Sequence, residues 1–148
     1  MTKTEPADVT CPKCQTIQSV ILYDSLNVTI DPEAKQDLID GKINVFKCDS
    51  CNAEITVGKT LLYHDMTQHF CVYFIPMDMV FDDDYIKNRI SSEGQINWEV
   101  PDFVKNFTVA EYLRNPHIVF DMDELVRYVI FRERVADIHS SQEESESS

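Results

Sequence analysis

Two short loops constrain this chain more than anything else in it: TCPKCQT, Thr10 to Thr16, and KCDSCNA, Lys47 to Ala53. Each is a Cys-x-x-Cys loop, in which two sulfurs turn toward one centre about 2.3 Å away while neighbouring backbone N–H groups are left to stabilise thiolate charge. Two such loops supply a tetrahedral set of soft ligands, which zinc prefers and hard cations do not; iron fits the same four thiolates. Cys11, Cys14, Cys48 and Cys51 are therefore the expected ligands of one structural ion. Any fold for this chain must bring together two loops separated by 33 residues, where a plain ribbon uses about 15 to 20.

The intervening sequence accounts for the excess. Between Ile17 and Ile30 the chain is rich in β-branched and aromatic residues, and Leu26, Val28 and Ile30 alternate with polar neighbours, the period of a half-buried strand. Asp31-Pro32-Glu33 then reads as a helix start, with Asp as N-cap, Pro in the first turn and an acid behind it. The predicted helix covers residues 32–40, with Ala34, Leu38 and Ile39 on its apolar face and Gly41 as a left-handed stop. A strand over Ile43–Phe46 returns the chain to the second loop, so both loops lie at one end. The residue after each second cysteine favours a left-handed backbone, which Asn52 tolerates better than Gln15.

A thioredoxin-like redox pair is the rival for one Cys-x-x-Cys, but that motif opens a helix after a strand. Here Cys14 leads into a strand-like run, and a second pair needs a role too. Redox work and plain core cysteines stay open beside the metal site. Cys71, alone in an apolar run, reads as a small buried hydrophobe. A closed four-thiolate site has no open coordination position and contributes folding free energy, on the order of 10 kcal/mol in small zinc modules.

Downstream, Ile55, Val57, Leu61 and Tyr63 alternate as if along one strand, and Phe70–Ile75 is apolar on both faces, hence central. The polar HDMTQH between them predicts an antiparallel hairpin. After Pro76, MDMVFDDD reads as a loop or short turn, with Asp82–Asp84 capping a helix through Ile90. Thr108-x-x-Glu111 forms a capping box for a helix that Asn115-Pro116 ends. Asp121 caps a last helix in which Met122, Leu125, Val126, Val129 and Ile130 recur at helical spacing. That stripe reads first as a packing face, and docking of a second subunit, a homodimer, is its other use. The tail HSSQEESESS has no apolar group and is expected to be disordered.

Charge excludes more than it assigns. With 26 Asp and Glu against 13 Lys and Arg, the net charge is −13, and four thiolates on one zinc add about two more negative charges. Nucleic-acid binding needs clustered cations to displace phosphate counterions, and here the basic residues are scattered singly, so no nucleic-acid partner is expected. The MTKTEPADVT start lacks the apolar run of a secretory signal, and no stretch approaches the roughly 20 apolar residues of a membrane span. A cytoplasmic protein with reduced thiols and no membrane association is the expectation. The partner such a surface suits is a basic protein.

Catalytic motifs are sparse. His64 and Asp65 are adjacent, with Tyr63 before them and His69 across the same turn. They are the candidates for an enzyme reading, as acid and base or as ligands of a second metal. The plainer reading is that Tyr63 packs while His64 and Asp65 shape the hairpin turn. With no nucleophile elbow, no HExxH and only three glycines, a non-enzymatic, metal-stabilised interaction module is the leading expectation.

TCPKCQ, DPEAKQDLIDGKINVFKCDSC, TLLYHDM and FCVYFIP together resemble the CpXC family of small prokaryotic proteins over about residues 9–76. A fainter similarity lies in HIVFDMDELVRYVIFRERVAD. The resemblance implies a zinc-ribbon-like domain with Cys11, Cys14, Cys48 and Cys51 matching the family's cysteine motifs, and Tyr63-His64-Asp65 matching a recurring YHD-type segment. It implies no activity. CDSC departs from the family's habit in lacking a proline and a following glycine. The expected fold is α+β: a zinc-ribbon-like antiparallel sheet with an inserted short helix over 9–76, a mostly helical C-terminal region over 77–138 packed on it, and a disordered acidic tail over 139–148.

Overall fold

In the computed structural model, residues 2–96 and 115–146 are described, with side chains through residue 141. The alternation after Cys14 becomes one long strand, β2 (Ile17–Asn27), paired antiparallel with β1 (Lys3–Thr10). Asn27 stops it: the side-chain oxygen accepts from the backbone N–H of Thr29 (3.1 Å) and Ile30 (3.3 Å), bending the chain. Ile30 is consequently 63% exposed instead of continuing the strand.

Helix α1 (Pro32–Ile39) follows, burying Ala34 and Leu38. Gly41 takes φ +74°, and the N–H of Lys42 reaches the carbonyl of Asp37 at 2.9 Å, the Schellman closure that needs a left-handed residue. Asp31 sits at the N-cap position but makes no side-chain capping bond. Fixed φ at Pro32 and the Glu33 charge are what favour the start. Strands β3 (Val45–Lys47) and β4 (Glu54–Thr56) then form a separate two-stranded sheet.

Strands β5 (Leu61–Asp65) and β6 (Phe70–Phe74) make the expected antiparallel hairpin. The single strand expected from Ile55 to Tyr63 is two, because its halves serve different cores. Ile55 and Val57 pack beneath the cysteines, whereas Leu61 and Tyr63 belong to the main core. Two short helices, α2 (Met77–Val80) and α3 (Asp83–Arg89), come next, and Asp82 caps α3 by accepting from the N–H of Tyr85 at 3.2 Å. The helix expected from Thr108-x-x-Glu111 falls in residues 97–114, outside the described residues; after them strand β7 (His117–Val119) leads into helix α4 (Met122–Glu146). Asp121 caps it through Asp123 N–H at 2.7 Å.

The main sheet runs β1-β2-β5-β6-β7. It is mixed, since β2–β5 and β6–β7 are parallel. The departure from a wholly antiparallel sheet has a topological cause: α1 and the β3–β4 hairpin form a crossover long enough to bring β5 back in the direction of β2. The α+β class stands. The expected boundary at residue 76 falls between β6 and β7, so both portions of the chain share one sheet. Two strands were not anticipated. β1 carries Lys3, Glu5, Pro6 and Asp8, a composition suited to an exposed edge, and β7 is only three residues long. A register shift between Lys3 and Thr4 leaves Asp24 unpaired, a bulge in β2.

On one face of the sheet Leu26, Tyr63, Phe70, Val72, Phe74 and Val119 pack against Ala34 and Leu38 of α1 and Leu125 and Val129 of α4. Arg132 lies 4.2 Å from the centre of the Phe70 ring, His117 stacks on Tyr128 at 4.1 Å, and Lys35 pairs with Glu133. Helix α4 continues to Glu146, through most of the stretch expected to be a disordered tail. A helix nucleated and docked over its first three turns extends at little further cost through helix-tolerant Ser, Gln and Glu.

Candidate metal centre

Each Cys-x-x-Cys closes the tip of a hairpin, the first between β1 and β2, the second between β3 and β4. The two tips are built alike. Cys11 N–H donates to the Thr16 carbonyl (2.9 Å) and Gln15 N–H to the Cys11 carbonyl (2.9 Å). Cys48 N–H donates to the Ala53 carbonyl (2.8 Å) and Asn52 N–H to the Cys48 carbonyl (2.9 Å). Both turns need a left-handed residue after the second cysteine, and both have one: Gln15 at φ 66° and Asn52 at φ 60°. Only the second is a residue that takes this conformation readily.

All four sulfurs lie within 4.8 Å of one another. Cys11 and Cys51 approach to 3.5 Å, as do Cys14 and Cys48. Four sulfurs arranged tetrahedrally at zinc's bond length stand about 3.8 Å apart, so the set present fits one such ion. Among the described residues this is the one cluster of three or more potential ligands. Cys11 and Cys48 are fully buried and Cys14 and Cys51 are exposed, which places the centre at the surface of a small core.

The surroundings favour thiolate at Cys11 and Cys14. Backbone N–H groups of Cys14 and Lys13 lower the Cys11 thiol against its burial. Cys14 falls to about 6 because the Thr16 hydroxyl, 3.1 Å from its sulfur, and the Thr16 N–H both stabilise its charge. At Cys51 the Ala53 N–H pulls downward, yet crowding by Cys11 and the other sulfurs, with burial, drives it up to about 12. Four like-charged sulfurs resist joint ionisation, and a divalent cation is what removes that conflict.

Beneath the sulfurs, Phe46 and Ala53 are buried with Cys11 and Cys48, flanked by Val9, Val20, Ile55 and Val57. Two side chains stand in for missing strand pairing between the hairpins. The Gln18 amide donates to the Lys47 carbonyl (3.2 Å) and accepts from Asp49 N–H (3.1 Å). The Asn44 amide accepts from Tyr23 N–H (2.7 Å) and donates to the Tyr23 carbonyl (3.1 Å). Neither residue was singled out from sequence; a polar Asn in the apolar run INVF was the available signal. Lys59 adds ion pairs to Glu5 (2.7 Å) and Asp24 (2.8 Å), tying the chain after β4 to the first hairpin.

Tyr63, His64 and Asp65 do not converge. Tyr63 points into the main core, fully buried. His64 lies on the opposite face, paired in register with Asn27 and Cys71, and burial lowers it to about 4 against the opposing pull of Asp65. The Asp65 carboxylate accepts from the N–H groups of Thr67 and Gln68, both at 2.9 Å, while Thr29 Oγ1 accepts from Met66 N–H at 2.9 Å. Those bonds shape the hairpin turn. His69 turns the chain at φ 56° and joins no ligand cluster.

Two Cys-x-x-Cys hairpin tips face each other on an α+β scaffold and form a four-cysteine cluster that could hold one metal ion. The chain belongs to the CpXC family: the family model, described as CpXC protein, matches residues 9–139. That match extends beyond residue 76 to take in α2, α3, β7 and most of α4. No curated protein matches the chain, and no solved structure does. Among the described residues, no helix is long and apolar enough to cross a membrane.

Proposed function

We propose that the chain is a zinc-stabilised interaction module, in which one ion held by Cys11, Cys14, Cys48 and Cys51 locks two hairpins and the acidic surface receives a basic protein partner. The convergence of four sulfurs from two equivalent tips carries this reading. A set of four protein thiolates saturates zinc, so the ion's contribution is folding free energy. Net charge of −13 favours encounter with cationic partners, strongly at low salt and weakly at high salt. The outer stripe of α4 leaves Phe131 (57%), Val135 (38%) and Ile138 (47%) exposed at helical spacing, the surface on which a second copy would sit in a homodimer.

Metal analysis of protein purified under reducing conditions without added metal tests the first element. One zinc per chain supports it; iron would revise the ion, and none with freely titrating thiols would overturn it. Affinity capture at low and high salt tests the second. Basic proteins held at low salt and released at high salt are the expected result, and capture indifferent to salt would refute the charge-based reading. An enzyme working through Tyr63, His64 and Asp65 is the alternative, favoured if a His64→Ala variant loses a detectable activity while keeping its melting temperature.

A further inference from the structure

The face of the sheet away from the main core holds a cleft that none of the preceding chemistry uses. Strand register places Ser25, Leu62 and Tyr73 in one row across β2, β5 and β6, all on that face. Helices α2 and α3 roof this row with Met79, Tyr85 and Arg89, and the space between encloses about 480 Å³, within the range of about 300–1,000 Å³ typical of small-molecule sites. Tyr85 and Arg89, four apart, share one face of α3. The Tyr73 and Tyr85 hydroxyls meet at 3.4 Å, joining floor to roof.

Charge at this cleft runs against the rest of the protein. Lys3 and Arg89 line it, and among the described residues neither has an ion-pair partner. The bulge in β2 turns Asp24 toward the same space beside Ser25, but that carboxylate is already paired with Lys59 at 2.8 Å. Among the described residues, two positive charges without ion-pair partners stand around aromatic and apolar walls, on a chain whose net charge is −13. Burial and the neighbouring Tyr73 push the Tyr85 hydroxyl upward, so it stays a hydrogen-bond donor at neutral pH.

We propose that the cleft between the β2-β5-β6 row and helices α2 and α3 binds a small organic anion: a flat aromatic body against Leu62, Tyr73 and Met79, with its carboxylate or phosphate at Arg89 and Lys3. Arg89 supplies the planar fork that matches either group, and Lys3 adds a point charge. The site is independent of the four-cysteine centre and of any basic protein partner.

The test is titration of the metal-loaded full chain, followed through backbone amide resonances, with 4-hydroxybenzoate and with phenyl phosphate. Neutral 4-hydroxybenzamide and inorganic phosphate are the controls. Saturable shifts at Leu62, Tyr73 and Arg89 are expected from at least one aromatic anion, and the tighter of the two identifies carboxylate or phosphate. Arg89→Gln weakens that binding by about tenfold or more, Lys3→Gln by less, and neither shifts the melting temperature. No shift by either anion at about 10 mM, equal binding of the neutral amide, or an Arg89→Gln titration like that of the parent chain each overturns the proposal.

Discussion

Replacing Tyr63 by Phe should stabilise this protein. The Tyr63 ring is fully buried, 6.0 Å from Phe70 centroid to centroid, and its hydroxyl has no hydrogen-bond partner among the described residues. Burying an unsatisfied hydroxyl costs about 1–3 kcal/mol. Removing one oxygen forfeits a handful of contacts worth about 0.1–0.2 kcal/mol each, so the loss is about 0.5–1 kcal/mol. The difference favours Phe by about 1 kcal/mol, a rise in Tm of about 2–4 °C for a chain of this size. The measurement is thermal unfolding of both proteins at equal, saturating metal, because bound ion adds its own stabilisation. A fall in Tm of similar size would refute the reasoning, showing that the hydroxyl is bonded in solution. The same variant bears on the enzyme alternative, since a phenolic acid–base role would end with the hydroxyl while stability rose.

Cys48→Ala, or chelation of the parent chain, should abolish metal binding and amide-exchange protection over β3 and β4 while β5 and β6 stay protected. The cluster beneath the sulfurs has only Cys11, Phe46, Cys48 and Ala53 as its buried members, far short of replacing on the order of 10 kcal/mol from the ion; unchanged protection would sink the metal reading. Gln15→Gly should stabilise by about 1 kcal/mol in urea unfolding, because a side chain at φ 66° is strained and glycine is not, and a loss of stability would show that Gln15 has contacts outweighing that strain. His64 is held to about 4 in the folded chain against 6.5 for an ordinary imidazole. It therefore contributes stability above pH 6.5 that is lost as pH falls toward 4, at up to about 1.4 kcal/mol per pH unit. The stability of a His64→Gln variant should decline less steeply than the parent's across that window, and parallel declines would count against it.

The four-cysteine cluster was legible because its geometry is local: Cys-x-x-Cys places two sulfurs together by chain geometry alone, whatever the rest of the fold does. The capped start of α3 at Asp82 and the stop at Gly41 were legible for the same reason. Pairings set by distant residues were not. Nothing in Ser25 and Leu62 individually announces that they sit side by side in parallel strands, and no local signal distinguishes Ile55 and Val57 beneath the cysteines from Leu61 and Tyr63 in the main core. Gln18 and Asn44 were missed because a side-chain amide mimicking a backbone pair is recognised only once both hairpins are in place. Composition measures what a segment can bury, and so reads the C-terminal tail as disordered, whereas helix α4, anchored at Leu125 and Val129, runs on to Glu146.

The bulge at Asp24 sets how this protein can vary. Val20 lies against the metal-side cluster, and Tyr23 and Leu26 both reach the main core, although residues three apart on a regular strand face opposite sides. The unpaired residue is the phase correction between the two cores. Position 24 is thus held by its count more than by its chemistry. An Asp24→Asn exchange weakens the pairing with Lys59 and leaves the strand in step. Deleting that one residue would turn the ribbon half a revolution against the sheet, so β2 tolerates a changed letter far better than a missing one.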